Sequence, residues 1–457
     1  MMRSRSLAPA AAMIATAFLR APAPAAQPAP ALAAGQPKPL VLSIADAMAL
    51  AIRNNIQARL ARAGTIGAKG RVLQAASALL PQVTAAAFQN RQYKFNLDAE
   101  GFYLIKFPGA SLPAALGPYN IFDARAQITQ NLFDLSAWNR TWQSEAARKA
   151  MDLDLRLAED NVAAAAAIAY VEVLRAARDL DAARADLELA ESLLKLARDK
   201  YEAGTAASID VTRADNQRAQ NKMRLIDAEV ANNESAIRLK HVLGIPIATP
   251  LTLSDSLDFK TESLPAVSTA VARGLARRLE IKIADERVKA DEHGVRVAQF
   301  QRLPTLTAHG DYGWSGNTPS QNVIPTGSAG INLAMPLFAG GRIFGDVLVA
   351  KQALEEEKSR LDDIFLQVEQ DVRSSWDESR AAVERVSAAV TARKLSKDEV
   401  ALARDRYRAG VGDNIEVITA QTSLSEAEAQ ELSALARYHD SRVSFAQALG
   451  AIRDFKY

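Results

Sequence analysis

The four histidines, His241, His293, His309 and His439, are the residues to test first for metal or acid–base chemistry. Metal ligands come in closely spaced pairs, and these four are scattered along the chain. There is no cysteine, which removes disulfides, thiol nucleophiles, thiolate-held metal and cysteine lipidation. No G-x-S-x-G elbow and no Gly-rich phosphate loop occurs. The run Asp291-Glu292-His293 reads as a charged, solvent-facing stretch of helix. The segment ALEEEKSRLDD (353–363) sets opposite charges three to four residues apart, a pattern that supports a helix surface. The residues therefore predict a protein that is no enzyme and uses no cofactor or metal.

Composition points the same way. Fifty-five Lys and Arg balance 53 Asp and Glu, a net charge of +2, and the two signs are mixed along the chain. Nucleic-acid binding would need a clustered basic surface, so it is not expected. Ala, Leu, Glu, Arg, Lys and Gln dominate, which is a helix-forming alphabet. The N-terminus adds a location. MMRSRS is a positive n-region, residues 7–19 (LAPAAAMIATAFL) form a short apolar h-region, and Ala31-Leu32-Ala33 fits a cleavage site. Residues 1–33 are thus expected to be an export signal, followed by a Pro-rich segment over 34–41. No other stretch approaches the ~20 apolar residues of a membrane-spanning helix.

What must be explained instead is a repeat. LARDKYEAGTAASIDVTRA (196–214) reappears as LARDRYRAGVGDNIEVITA (402–420). In this register Tyr201 matches Tyr407, Gly204 matches Gly410, and Leu243-Gly244 matches Leu449-Gly450. Upstream, NLFDLSAWNR (131–140) answers PLFAGGRIFG (336–345), and SALLPQVTAAAF (77–88) answers QRLPTLTAHGDY (301–312). The chain reads as two versions of one unit, 42–245 and 266–452, with a linker over 246–265 and a tail over 453–457.

Each unit has the same internal order. A helix comes first, starting at Ser43 as N-cap with Asp46 at the third position; its counterpart in the second unit divides into two pieces. Pro81 and Pro304 end these helices. Beyond each proline the period becomes two: Leu306, Ala308, Gly310, Tyr312 and Trp314 alternate with Thr305, Thr307, His309 and Asp311, while Ala124, Ala126, Ile128 and Leu132 alternate with Asp123, Arg125, Gln127, Thr129 and Asn131. Such alternation predicts strands with one apolar and one polar face, as hairpins over about 82–132 and 304–337. Residues 136–202 and 346–409 contain neither proline nor glycine. A helix of ~65 residues is roughly 100 Å long and must be supported along its length as a coiled coil or similar array. Gly204 and Gly410 then fit left-handed C-cap positions, and a shorter helix runs back (207–243 and 413–450).

Four strands cannot close a barrel, and an open sheet edge cannot sit in lipid. Strands contributed by several subunits could close one, with Phe133, Trp138, Tyr312, Trp314 and Phe338 suited to the membrane interface.

The letters SIADAMALAIRNN, KYEAGTAASIDVTRA with RYRAGVGDNIEVITA, the NLFDLSAWN and PLFAGGR junctions, and the two LG endings together resemble the TolC-like outer-membrane efflux protein family, over essentially all of 41–452. The resemblance implies a mainly α fold with a β-barrel part: a homotrimer in which four strands per protomer make a 12-stranded barrel in outer-membrane lipid above a trimeric α-barrel. It implies an exit duct of a tripartite efflux or type I secretion system, reaching into the periplasm and working with a periplasmic adaptor and an inner-membrane pump. It further implies that Asp210 and Tyr407 belong to a hydrogen-bonded gate and that Glu416 lines the constriction, where a ring of three would favour cations. Tyr201, Gly204, Thr205, Ser208, Gly410, Gly412 and Asp413 fall at the helix-reversal tip that meets the adaptor. Gly412 departs from the pattern, which has a basic residue there; Arg404, Arg406 or Arg408 could substitute. The alternative is a periplasmic coiled-coil adaptor or scaffold without a barrel, which would have no need of two amphipathic hairpins.

Overall fold

The computed structural model of the chain describes residues 40–97, 99, 101, 113–260 and 263–455. The export signal and most of the Pro-rich segment lie outside the described residues, as does most of the first hairpin's loop.

The first unit begins with the short strand β1 (Leu40–Leu42) and helix α1 (Ile44–Asn54). Ser43 caps α1 and Asp46 answers it: the Asp46 amide donates to Ser43 Oγ at 3.2 Å, and the Ser43 amide donates to Asp46 Oδ2 at 3.3 Å. The helix does not run on. Asn55 has ψ 140°, which breaks the hydrogen-bond ladder, and its side chain caps α2 (Ile56–Ser77) by accepting from the Gln57 amide at 2.8 Å. The continuous first helix expected from sequence is therefore two helices, because asparagine offers the backbone a cap in place of the next helical turn. The second unit breaks in the same place, at Arg278 (ψ 129°), between α5 (Val267–Arg277) and α6 (Leu279–Phe300).

Strand β2 (Gln82–Gln92) leads into two short strands, β3 (Phe95–Asn96) and β4 (Ala115–Leu116), and β5 (Tyr119–Phe133) returns. The long helix α3 (Leu135–Glu202) follows, then α4 (Ser208–Leu243). The stretch 246–265 is more than a linker: β6 (Leu251–Leu253) pairs in parallel with β1. The second unit continues from α5 and α6 through β7 (Thr305–Gly316) and β8 (Ile324–Ala334) to α7 (Arg342–Arg408) and α8 (Asn414–Ala448). Helix α7 thus begins upstream of Gly345, which is tolerated within its first turn. The tail is docked: Ile452 is buried, and Arg453 pairs with Asp160 at 2.6 Å and Glu159 at 3.1 Å.

The two long helices are covered as their lengths require. α2 and α4 lie along α3, α5 and α8 lie along α7, and α6 packs against both long helices. Small residues set the spacing in the main core, where Ala163, Ala164, Ala166 and Ala167 of α3 meet Ala47 and Ala51 of α1 and Leu239 and Leu243 of α4. Tyr170 crosses this core to the β1–β6 pair, where its hydroxyl lies 2.9 Å from both the Leu42 carbonyl and Asp255 Oδ2. Burial, ahead of the Asp255 contact, pushes the Tyr170 phenol up to about 12.

Two charged stretches are less solvent-facing than their sequence indicates. His293 packs against Trp142 with the rings tilted and their centroids 5.7 Å apart, and it hydrogen-bonds Asn139 Oδ1 at 3.3 Å; burial lowers its pKa. Glu357 is buried and pairs with Arg360 at 2.8 Å.

Asp440 on α8 carries a pH dependence. One of its carboxylate oxygens is buried without a hydrogen-bond partner. Burial first, then the charge of Glu172, pushes its pKa up from 3.8 to about 6, against the pull of Arg175. A carboxyl with a raised folded pKa stabilises the fold below its unfolded value, and that contribution is lost as pH rises through the folded one. Asp440→Asn should therefore raise the melting midpoint near pH 8 and leave it almost unchanged at about pH 4. Equal shifts at both pH values in circular-dichroism melts would show that this carboxyl does not titrate as described.

Candidate functional site

Two places carry the chemistry of this molecule: a four-stranded sheet at one end and a pair of helix reversals at the other.

The sheet has order β2-β5-β7-β8 with every neighbour antiparallel. The two hairpins thus join through β5 and β7, and the outer edges of β2 and β8 are left open. The register aligns the alternation across all four strands. One row runs Val83–Ile128–Gly310–Ala329, the next Ala85–Ala126–Tyr312–Gly327. That face is apolar and bare: Val83 is 69% exposed and Ile331 68%. The opposite face carries Thr84, Gln127, Asp311 and Ser328 in one row. There Arg125 pairs with Asp123 and, at 2.9 Å, with Asp311, which also accepts from Ser328. A shift in register between Asn131 and Phe133 removes Leu132 from the alternation and sets Phe133 opposite Leu306.

The aromatic residues picked out from sequence fall at two levels. Tyr312 and Trp314 contact edge-to-face near the loop end of β7, with centroids 6.0 Å apart. Phe133, Trp138 and Phe338 lie where strands pass into helices, and Phe338 is 89% exposed. Leu337 and Phe344, at the same passage from β8 into α7, are also bare and carry no sequence pattern that sets them apart.

At the other end, Gly204 and Gly410 both have φ +73°. Each reversal closes by the same pair of bonds. The Gly204 amide donates to the Tyr201 carbonyl and the Thr205 amide to the Lys200 carbonyl; the Gly410 amide donates to Tyr407 and Val411 to Arg406. Similar turns hold dissimilar side chains. Tyr201 is 51% exposed and Tyr407 is 5% exposed. Tyr407 is covered by Lys200, whose ammonium sits 4.1 Å from its ring centre and donates to its carbonyl. Thr205 caps its own turn by donating to the Lys200 carbonyl at 3.0 Å, and Ser208 opens α4.

The hydrogen bond implied between Asp210 and Tyr407 is not formed within this chain. Asp210 Oδ2 accepts from the Ala207 amide at 3.3 Å, and its other oxygen lies 3.8 Å from Arg213. The Tyr407 hydroxyl is buried with no partner; burial, then the charges of Asp210 and Asp413, raises its pKa. Besides the Lys200 contact, the two reversals are tied by Asn414, whose side-chain amide donates to the Asp210 carbonyl at 2.9 Å. Gly412 is a glycine for space: a Cβ there would lie 2.9 Å from Arg406 Cβ. Of the three candidate arginines, Arg406 is the one beside Glu416, at 3.3 Å. Lys200 and Asn414 were missed from sequence, since a lysine and an asparagine in charged helix ends carry no distinguishing pattern.

No helix among the described residues is long and apolar enough to cross a membrane, and no group of three or more metal-ligating side chains occurs among them. A family model described as outer membrane efflux protein matches residues 47–245 and 271–451. The outer membrane protein TolC of Salmonella enteritidis is 26% identical over 350 residues, 73% of this chain and 70% of that protein. The toluene efflux pump outer membrane protein TtgF of Pseudomonas putida is 28% identical over 366 residues, 74% of this chain and 72% of that protein. In three dimensions the chain is similar to the Campylobacter jejuni CmeC outer membrane channel, with a TM-score of 0.78 at 18% identity over 90% of this chain and 86% of that one.

Proposed function

The chain belongs to the outer membrane efflux protein family and is an outer-membrane efflux duct, and from that premise we propose that three copies form one continuous conduit. In this reading β8 of one protomer pairs with β2 of the next. Both are 11 residues long, and the up-down order of the four strands makes that pairing antiparallel, so three protomers close a 12-stranded barrel. The observation that carries the reading is the sheet itself: an exposed apolar face four strands wide, backed by a polar face, with both edges unpaired. Lipid suits that face only if the edges are paired. The helices extend the barrel as an α-barrel into the periplasm. An export signal over 1–33 belongs to the same reading.

The reversal tip is then the end that meets a periplasmic adaptor and, through it, an inner-membrane pump, in tripartite efflux or type I secretion. Tyr201, Gly204, Thr205, Ser208, Gly410, Gly412 and Asp413 are the adaptor-side surface. Asp210, Tyr407 and Glu416 border the constriction. A periplasmic adaptor without a barrel would have no use for a bare apolar sheet.

Purified protein should migrate as a trimer before boiling and conduct ions in planar bilayers. A protein that remains soluble after cell breakage, without detergent, refutes the duct. Asp210→Ala and Tyr407→Phe should each raise single-channel conductance; unchanged conductance in both removes these residues from the gate.

A further inference from the structure

Above the tip, the hairpin α3–α4 and the hairpin α7–α8 meet again through one buried carboxylate. Asp186 of α3 lies sixteen residues before the end of that helix at Glu202, roughly 24 Å at ~1.5 Å per residue. It is 8% exposed. Arg224 of α4 and Ser425 of α8 both donate to its Oδ2, each at 2.6 Å, and Asn221 donates to its carbonyl at 3.0 Å. A single oxygen thus holds one bond inside the first hairpin and one bond across to the second.

We propose that Asp186 is a positioning residue for the duct's gate: it clasps α8 to the first hairpin, and the tip opens only when Ser425 is released. The proposal rests on the reading of the tip as the closable end of the duct. Three observations support it. First, the clasp is asymmetric. Losing Ser425 leaves Asp186 still paired with Arg224, so the second hairpin can move without leaving a buried charge unpaired. Second, the layer has unused hydrogen-bonding capacity. Gln421, one turn from Ser425 on α8 and 6% exposed, has both side-chain amide atoms buried without partners, so a shifted α8 could exchange one set of bonds for another. Third, acid is in excess. Among the described residues, Asp179 and Asp186 of α3 with Glu428 and Glu431 of α8 stand against Arg224 of α4, Arg393 of α7 and, beside Asp179, Arg175 of α3, which also pairs with Glu172.

That excess supplies a readout that a purely structural bond would not move. Burial, then Asp179, raises the Asp186 carboxyl against the pull of Ser425 and Arg224. Burial, then Asp186, raises Glu428, with Arg393 and Arg224 opposing and Glu431 adding. Burial of these carboxyls under α8 therefore makes the packed layer hold protons more tightly than a separated one, although the Ser425 bond itself favours the ionised carboxylate, so the packing of α8 on Asp186 weakens as pH rises through the raised values.

The test is conductance of the full-length protein in planar bilayers as a function of pH. Wild type should conduct more as pH rises above the ordinary carboxylate range. Ser425→Ala, which leaves the Asp186–Arg224 pair intact, should raise the ratio of open to closed channels roughly ten-fold, the effect of losing a hydrogen bond to a charged group. Asp186→Asn combined with Glu428→Gln should flatten the pH response. Wild-type conductance in Ser425→Ala, or an unaltered pH profile in the double variant, overturns the clasp while leaving the duct standing. Absence of any conductance from wild type rejects the duct itself, and the clasp with it.

Discussion

Ile331→Arg is expected to abolish stable insertion, while Asn332→Arg, one residue further along the same strand, is tolerated. Ile331 lies on the apolar face of β8 opposite Ala308, and Asn332 lies on the polar face opposite Thr307. In the proposed barrel the first faces lipid and the second faces the lumen. Arginine on the lipid face near the bilayer midplane costs about 2–4 kcal/mol, and near zero in an aqueous lumen. Three copies per trimer bring the cost to about 6–12 kcal/mol, which is comparable with the whole stability of a folded domain. The measurement is the yield of the heat-sensitive trimer in detergent-extracted outer membranes. Equal yields from the two variants would show that the faces are not divided between lipid and lumen, and the barrel would have to be abandoned.

Gly244→Ala is the second large effect, and Gly204→Ala is its control. Both glycines have positive φ, +65° and +73°. At Gly204 a Cβ would meet nothing within 4 Å, so alanine bears only the left-handed backbone cost of about 1 kcal/mol. At Gly244 a Cβ would lie 2.7 Å from the Asn54 carbonyl oxygen and 2.8 Å from its carbon. Backbone cannot move aside as a side-chain tip can, so crowding adds to the conformational cost, for a total of about 3 kcal/mol. The site explains itself through the repeat. The end of α4 docks on the break between α1 and α2, where Asn55 donates to the Val242 carbonyl at 2.8 Å. The end of α8 docks on the matching break, with Gly450 against Arg277. Thermal melts in detergent should separate the two alanine variants; equal midpoints would mean that this docking does not limit stability.

Much of this was legible in the residues. A helical reversal needs a left-handed residue, so Gly204 and Gly410 could be placed at turns before any coordinates. The Leu-Gly endings marked the other two helix ends, although their close approach to Asn54 and Arg277 left no trace in the pattern. The alternation in β5 and β7 foretold two-faced strands, because neighbouring side chains on a strand must point oppositely. The bulge that displaces Leu132 was not visible, since an extra residue leaves local periodicity almost intact. The break at Asn55 was missed because alanine, leucine and arginine favour helix on both sides of it.

What the sequence determined by itself was the set of local preferences: duplication, element order, helix length, turn positions and the two faces of each strand. Each follows from residue types over short spans, or from comparing one span with its copy. What only the tertiary structure decided was which side chains from different elements meet. It put Tyr407 inside and Tyr201 outside at equivalent turns, left Asp210 and Tyr407 without a shared hydrogen bond, and set Arg224 and Ser425 on the same oxygen of Asp186. Those outcomes depend on how long helices are rotated and offset against one another. A helix face lined by small residues permits several such rotations, and only the packing of the whole core selects among them.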